Sequence, residues 1–140
     1  MPDEYESGFF VQPVDHFDNQ NPYTFGQRFF KNEQWAKPNG PIFLMIGGES
    51  PRHPRWVVNE NLTYLQWAKT FGATVYLLEH RYYGESNLIG AADAFKSRTY
   101  TSYLSSLQML YDVANFIQTV NVRLALAKPA KWITFGGSYS

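Results

Sequence analysis

The sequence predicts an α/β fold in which a mostly parallel sheet carries helices on both faces. Segments with strand and helix patterns alternate along the 140 residues after an initial pair of strands. The later strands are continuous apolar runs, typical of strands buried on both faces, and glycine-rich turns stand at strand ends. With 44% hydrophobic and 17% charged residues, the composition is that of one globular domain.

The first predicted elements form an antiparallel pair. Gly8 to Phe17 has the pattern of an extended segment, residues 18 to 22 supply turn chemistry, and Tyr23 to Lys31 forms the second strand. The residues before Gly8 are expected to be a polar, frayed end. A turn at Lys37-Pro-Asn-Gly40 then leads into the third strand, Pro41 to Ile46, which ends at Gly47-Gly48-Glu49-Ser50.

The first helix is predicted from Asn61 to Gly72. Its apolar residues keep a three-residue spacing, and Gly72 is expected to end it in the left-handed conformation. Asn61 is a candidate N-cap. The strand Ala73 to Leu78 follows, and the proline-containing segment 50–59 before the helix is expected to be a loop. The predicted buried face consists of Leu62, Leu65, Ala68 and Phe71.

The second helix is predicted after a mixed segment, 87–98, that is expected to be a loop with at most one helical turn. Ser105 and Gln108 have the spacing of a capping box, and the helix is expected to end near Asn121. Lys128-Pro-Ala-Lys131 then separates it from the last strand. The predicted buried stripe consists of Tyr103, Leu107, Leu110, Ala114 and Ile117.

Charge and composition exclude several classes of function. The 12 basic and 12 acidic residues cancel and form no run of like charge, so no nucleic-acid or anionic-membrane partner is predicted. No apolar run reaches membrane-spanning length, and the first residues lack the basic start and apolar centre of a signal peptide. The absence of cysteine leaves no disulfide or zinc–thiolate site to consider.

The last ten residues carry the clearest chemical signal. The apolar run Trp132-Ile-Thr-Phe135 leads directly into Gly136-Gly-Ser-Tyr139, which is the layout of a nucleophile elbow. Such a turn exposes the hydroxyl of Ser138 and leaves the Tyr139 amide free to stabilise an oxyanion. Ser140 stands where the G-x-S-x-G pattern has its final glycine. The alternative interpretation is an ordinary glycine–serine loop after a strand.

The chain resembles the N-terminal part of the serine peptidases typified by prolyl carboxypeptidase, dipeptidyl peptidase II and thymus-specific serine protease. The most specific matching stretch is Glu79-His-Arg-Tyr-Tyr-Gly-Glu-Ser86, and the matches span nearly the whole chain in order. The other matching stretches are Gln12-Pro-Val-Asp-His-Phe17, Gln27-Arg-Phe29, Pro41 to Gly48 and Gly136-Gly-Ser-Tyr139.

The resemblance implies the N-terminal half of an α/β-hydrolase fold, with residues 1–140 forming one part of a single domain that ends at the elbow. It implies a serine–acid–histidine triad in which Ser138 is the nucleophile, with no cofactor. It also implies cleavage on the carboxyl side of proline near a peptide terminus. The loop at Gly47 and Gly48 is where a second oxyanion donor is expected. The acid, the histidine and the helical cap domain are expected beyond residue 140.

Other titratable groups at strand ends are candidates of lower rank. Of the three histidines, His16, His53 and His80, only His80 is placed at the catalytic edge, and a hydrogen-bonded framework role is preferred for all three. Glu49, Glu79 and Glu85 could suggest acid–base chemistry or a metal, but ion pairs with Arg52 or Arg81 are the preferred interpretation. No metal site is predicted.

Asn61-Leu-Thr63 is a sequon for N-glycosylation, relevant if the protein is secreted or lysosomal, as the resemblance implies. The sequence leaves open whether the enzyme acts as a carboxypeptidase or a dipeptidyl aminopeptidase. It also leaves two other functions open. One is a non-catalytic truncated form or pseudoenzyme that binds a partner, and the other is a generic esterase of the same fold. For residues 1–140 alone we expect no peptidase activity.

Overall fold

The computed structural model describes residues 4–88 and 98–140, which form one five-stranded sheet with helices on both faces. The elements in chain order are β1 (Glu6–Pro13), β2 (Thr24–Asn32), β3 (Ile42–Ile46), α1 (Arg55–Val58), α2 (Thr63–Phe71), β4 (Thr74–Leu78), α3 (Arg98–Ser102), α4 (Ser106–Leu124) and β5 (Trp132–Phe135).

The strands lie in the order β1-β2-β4-β3-β5. β1 pairs antiparallel with β2 and β2 antiparallel with β4, while β3 lies parallel between β4 and β5. The predicted antiparallel start and the parallel strands after it are therefore confirmed. The expectation of a frayed end before Gly8 is wrong from Glu6 onward, because Glu6 and Ser7 pair with Lys31 and Phe30.

Alternation along the central strands divides the core into two layers. Leu44 and Tyr76 point to the face covered by α4, whereas Phe43 and Val75 point to the face covered by α1 and α2. The first layer consists of Phe10, Ile42, Leu44, Tyr76, Leu78, Met109, Val113, Phe116 and Val120. The second consists of Phe30, Phe43, Val57, Tyr64, Leu65, Ala68, Ala73, Val75 and Leu77.

Helix α2 begins two residues later than predicted and buries a narrower face. Gly72 has φ 67° and ends it as expected. Phe71 is 61% exposed, so its placement on the buried face is wrong. Asn61 is not the N-cap, because Leu62 holds that position without a side-chain cap. The Asn61 side chain is therefore free of the helix end and exposed at the surface.

Helix α4 buries a different face from the one predicted, although Ile117 of the predicted stripe is partly buried and packs against the core. Ser105 caps it as expected, accepting a hydrogen bond from the Gln108 N–H at 3.1 Å, but the helix runs to Leu124. Leu107 and Leu110 of the predicted stripe are 53% and 62% exposed, and Ala114 is exposed as well. The buried face holds Gln108, Met109, Asp112, Val113, Phe116 and Val120. Apolar residues lie on both sides of this helix, and the core side looked polar because it contains buried Gln108 and Asp112.

One segment predicted as a loop contains a short helix, and another leads into one. Residues 50–59 include α1, whose Val57 is fully buried against the sheet. The segment 87–98 reaches α3 at Arg98, while residues 89–97 lie outside the described part of the chain. Over residues 4–88 and 98–140, no helix has both the length and the apolar content needed to cross a membrane.

Candidate active site

Ser138 lies at the carboxyl end of β5, on a tight turn beside the central parallel strand. The predicted last strand, Trp132–Phe135, is confirmed and pairs with β3 from Ile42 to Met45. Ser138 is exposed and has φ 60°, in the left-handed region that residues other than glycine rarely adopt. That conformation costs about 1–2 kcal/mol, so the surrounding turn must hold it in place.

The turn is closed by the residue that replaces the final glycine of the pattern. The Ser140 N–H donates to the Gly137 carbonyl at 3.2 Å, and the Ser140 hydroxyl donates to the same oxygen at 2.8 Å. A Cβ at Gly136 would lie only 3.0 Å from the Ser140 carbonyl oxygen. A side chain at position 136 would therefore crowd the Ser140 backbone, which would have to shift by a few tenths of an ångström to make room.

The loop after β3 lies against this turn, because both follow the carboxyl ends of neighbouring parallel strands. A Cβ on Gly48 would be 3.3 Å from the Ser140 hydroxyl and 3.9 Å from the Gly137 carbonyl. The two glycine-containing loops thus approach each other within van der Waals distance. Gly48 permits this close approach because it has no side chain.

The amides near Ser138 differ in their hydrogen bonding. The Gly47 N–H donates to the Leu78 carbonyl at 2.8 Å and is therefore occupied. Within the described residues, the Gly48 and Tyr139 N–H groups donate to no protein acceptor. Of the sequence-predicted oxyanion donors, Tyr139 and Gly48 have a free N–H group and Gly47 does not.

A buried carboxylate holds the segment Glu79–Ser86 in shape. Glu79 Oε1 accepts hydrogen bonds from the Glu85 N–H at 2.9 Å, the Ser86 N–H at 2.9 Å and the Ser86 hydroxyl at 2.7 Å. Its Oε2 accepts from the Arg52 N–H at 3.1 Å, which ties the loop after β3 to the same group. Gly84 has φ 59°, and a Cβ there would lie 2.0 Å from Glu79 Oε2. Glu79 thus has both carboxylate oxygens occupied, and it holds the loop after β3 and the segment Glu79–Ser86 together.

The predicted ion pairs between these glutamates and Arg52 or Arg81 are wrong for the described residues. Arg81 is fully buried and pairs with Asp112, through Nε at 2.8 Å and Nη2 at 2.7 Å. Its other donors go to main-chain carbonyls, and His16 Nε2 lies 2.6 Å from Asp112 Oδ1. Asp112 stands 31 residues from Arg81, so sequence spacing gave no signal for the pair.

The family-specific motif around Gln12 serves the same network. Gln12 donates to Gln27 Oε1 at 2.9 Å and to the Asp112 carbonyl at 2.8 Å, and it accepts from Asn115 at 2.9 Å. Asp15 accepts from Gln108 at 2.8 Å. The backbone N–H of Phe17 and then the Gln108 side chain lower the pKa of Asp15. These contacts fasten β1 and the segment after it to α4.

His80 is buried at the rim of a cavity that contains Ser138. Its Nδ1 lies 2.8 Å from the Arg81 carbonyl, which can only accept, so the neutral ring carries its proton on Nδ1. Its ring packs on Tyr139 at 4.9 Å between centroids. Burial lowers the pKa of His80. The cavity has a volume of about 310 Å³, and its walls are residues 138–140, His80 and apolar side chains of β3 and α4.

The preferred framework role for the histidines agrees with their bonding. His16 bonds to Asp112, His53 Nδ1 accepts from the Arg55 N–H at 3.1 Å, and His80 bonds to Arg81. Within the described residues, the Ser138 hydroxyl has no hydrogen-bond partner. In the same part of the chain, no group of three or more histidine or acidic side chains is arranged to hold a metal ion.

A serine in the left-handed conformation at the end of a parallel strand, beside free amides of two loops, defines the class of protein as an α/β hydrolase by fold. A solved structure supports this. An esterase from an Arctic intertidal metagenomic library matches with a TM-score of 0.50 and 14% identity, over 95% of this chain and 50% of the esterase. At that identity the likeness concerns the fold alone.

The chain belongs to the serine carboxypeptidase S28 family, whose model matches residues 12–140. Mouse thymus-specific serine protease is 38% identical over 136 residues, covering 96% of this chain and 26% of that protein. Mouse lysosomal Pro-X carboxypeptidase is 33% identical over 137 residues, covering 97% of this chain and 27% of that protein. The chain therefore spans about a quarter of the length of these curated relatives.

Proposed function

We propose that this chain is the front part of a serine exopeptidase in which Ser138 forms an acyl-enzyme. The observation that carries the proposal is the strained, exposed Ser138 next to two free amides, in a chain of a serine peptidase family. A strained nucleophile elbow presents its hydroxyl to a substrate above the sheet edge and away from the strand.

In the proposed reaction, the Ser138 oxygen attacks the scissile carbonyl carbon as a base removes the hydroxyl proton. The carbonyl oxygen becomes an oxyanion, and the N–H groups of Tyr139 and Gly48 donate to it. When the C–N bond breaks, the leaving amine takes the proton, and water later releases the acyl group from Ser138. Each donor in such a site contributes about 3–4 kcal/mol of transition-state stabilisation.

The base and the acid of the triad are proposed to come from residues outside this sequence. Support comes from the unpartnered Ser138 hydroxyl and from the bonding of His80 to Arg81 and Asp112 to Arg81. Without a base, the hydroxyl stays protonated and is a poor nucleophile. Residues 1–140 alone are therefore expected to be inactive. The alternative, a non-catalytic form that acts by binding a partner, predicts the same inactivity.

Proline specificity is proposed from the likeness to mouse lysosomal Pro-X carboxypeptidase. The substrates would be peptides with proline near a terminus, cut on the carboxyl side of that proline. The test is hydrolysis of an N-blocked prolyl dipeptide by the full-length protein, meaning the longest translation product that contains these residues. We expect turnover that Ser138→Ala abolishes, and an alanyl dipeptide should be cut at least about tenfold more slowly. Equal turnover by Ser138→Ala would refute the role of Ser138.

A secreted or lysosomal location with a glycan on Asn61 completes the proposal. The lysosomal relative supports the location, and the exposed Asn61 in the turn between α1 and α2 supports the glycan. Protein secreted from cultured cells should lose apparent mass on treatment with an N-glycosidase. Asn61→Gln should reduce this loss of apparent mass by the mass of one glycan. If the loss of apparent mass is the same for Asn61→Gln as for the wild-type protein, Asn61 carries no glycan.

A further inference from the structure

Arg52 lies across the glycine loop that faces the nucleophile. Its Cγ would be 3.0 Å from a Cβ on Gly47, and its Nη2 would be 3.9 Å from a Cβ on Gly48. The Ser140 hydroxyl lies 3.3 Å from that same Gly48 position. The guanidinium therefore stands beside the gap between the two loops in which the scissile carbonyl is expected.

The position of Arg52 is fixed by contacts that leave its charge available. Its backbone N–H donates to buried Glu79, and its Nε donates to the Ser50 carbonyl at 3.1 Å. Its Nη2 donates to the Ser50 hydroxyl, so the side chain is held within its own loop. In residues 4–88 and 98–140, no carboxylate oxygen lies within 4.0 Å of the Arg52 guanidinium. Nη1 has no described acceptor.

We propose that Arg52 is the residue that binds the free C-terminal carboxylate of the peptide substrate. This inference rests on the proposed function of Ser138. A planar guanidinium with free donors matches a carboxylate and can form two parallel hydrogen bonds with it. In a peptide cut one residue from its end, the terminal carboxylate carbon lies about 2.5 Å from the scissile nitrogen. The carboxylate must then lie next to the oxyanion loop, where Arg52 stands.

The C-terminal residue of the substrate would be anchored by its carboxylate charge. A C-terminal amide carries no such charge. The decisive comparison is an N-blocked Pro-X dipeptide with a free carboxyl group against the same compound as its C-terminal amide. The wild-type full-length protein should cut the free acid with a kcat/KM at least about tenfold higher than the amide. If the amide is cut equally well, or if only peptides with a free N-terminal amine are cut, Arg52 is not a carboxylate-binding residue.

The matching variant is Arg52→Gln, which keeps the stem against Gly47 and removes the charge. We expect kcat/KM for the free acid to fall by about 10- to 100-fold, and for the amide by less than about twofold. Arg52→Lys should restore part of the loss, because it restores the charge without the paired donors. Arg55→Ala is the control, since it removes an exposed positive charge of α1 that stacks on Trp56.

Equal losses on acid and amide would overturn the proposal, because they would indicate a general effect on the oxyanion or on the loop. Ser138→Ala keeps the two proposals separate, since it should abolish cleavage of both compounds whatever Arg52 does. If Arg52→Gln does not fold, the acid-to-amide ratio of the wild-type protein and the Arg52→Lys variant still decide the question.

Discussion

The buried pair of Arg81 and Asp112 makes Asp112→Asn a severe test of the structure. Both side chains have no solvent exposure, and Asp112 accepts from Arg81 Nε and Nη2 and lies 2.6 Å from His16 Nε2. Arginine cannot escape by losing its proton, so removing the carboxylate leaves a buried, uncompensated charge. In addition, Arg81 donates to both oxygens of Asp112, and asparagine would place an NH₂ group, itself a donor, against one of these two donors.

Breaking a buried pair in this way costs about 3–5 kcal/mol, which is a large fraction of the roughly 5–15 kcal/mol stability of an ordinary domain. With a urea m-value of about 2 kcal/mol/M, the unfolding midpoint should fall by about 2 M, at an unchanged slope. Tryptophan fluorescence would follow the unfolding of the protein.

Glu60→Gln provides the matched control, because its pair with Lys69 is 3.1 Å long but more than half exposed at both side chains. That change should cost at most about 1 kcal/mol. A midpoint for Asp112→Asn no lower than that of Glu60→Gln would refute the reasoning.

Three further predictions concern the loops and the sheet edge. Gly84→Ala should lower the free energy of unfolding by about 2–4 kcal/mol, since φ is 59° at this position and the new methyl group would meet a buried carboxylate. Gly137→Ala is the control, because a methyl group there meets nothing within 4 Å, and it should lower the free energy of unfolding far less in the same urea titration. Equal losses for the two variants would contradict this prediction. Burial lowers the pKa of His80 in the folded state, so below about pH 6.5 the unfolded state takes up the proton first. Stability should therefore decrease as the pH falls from about 6.5 to the lower pKa of the folded state. His80→Gln should flatten that pH dependence of the urea midpoint, and an unchanged dependence would assign it to other groups. β5 is an edge strand in the described residues, so we expect the 140-residue chain to associate through it. Ile133→Lys, at a residue that is 46% exposed on β5, should then reduce light scattering by that chain, and unchanged scattering would refute association through this edge.

The parallel arrangement of the later strands could be predicted because its signals are local. Ile42–Ile46 and Thr74–Leu78 are short apolar runs bounded by turns, and helical segments between them require right-handed crossovers. The elbow could be placed for the same reason, since strand, glycines and serine are adjacent in sequence. The left-handed φ of Ser138 and the free Gly48 amide depend on how the two loops pack, so the sequence carries no signal for them.

The wrong predictions for the buried face of α4 and for Glu79 concern places where polar residues are buried. The core side of α4 contains Gln108 and Asp112, whose partners lie far away in sequence in β1, in the segment after it and at Arg81. Hydrophobic periodicity cannot recognise a polar residue that is buried with its partners, so it selected Leu107 and Leu110 instead. The ion pair predicted for Glu79 is wrong because its donors are the Ser86 hydroxyl and backbone amides, and backbone amides carry no sequence signal.

The central claim is that Ser138 is an activated nucleophile, and labelling with a fluorophosphonate tests it most directly. The full-length protein should be labelled on Ser138, as mapped by mass spectrometry of its peptides, while Ser138→Ala and the 140-residue chain should stay unlabelled. Labelling of another serine, or equal labelling of the wild-type protein and Ser138→Ala, would contradict the claim.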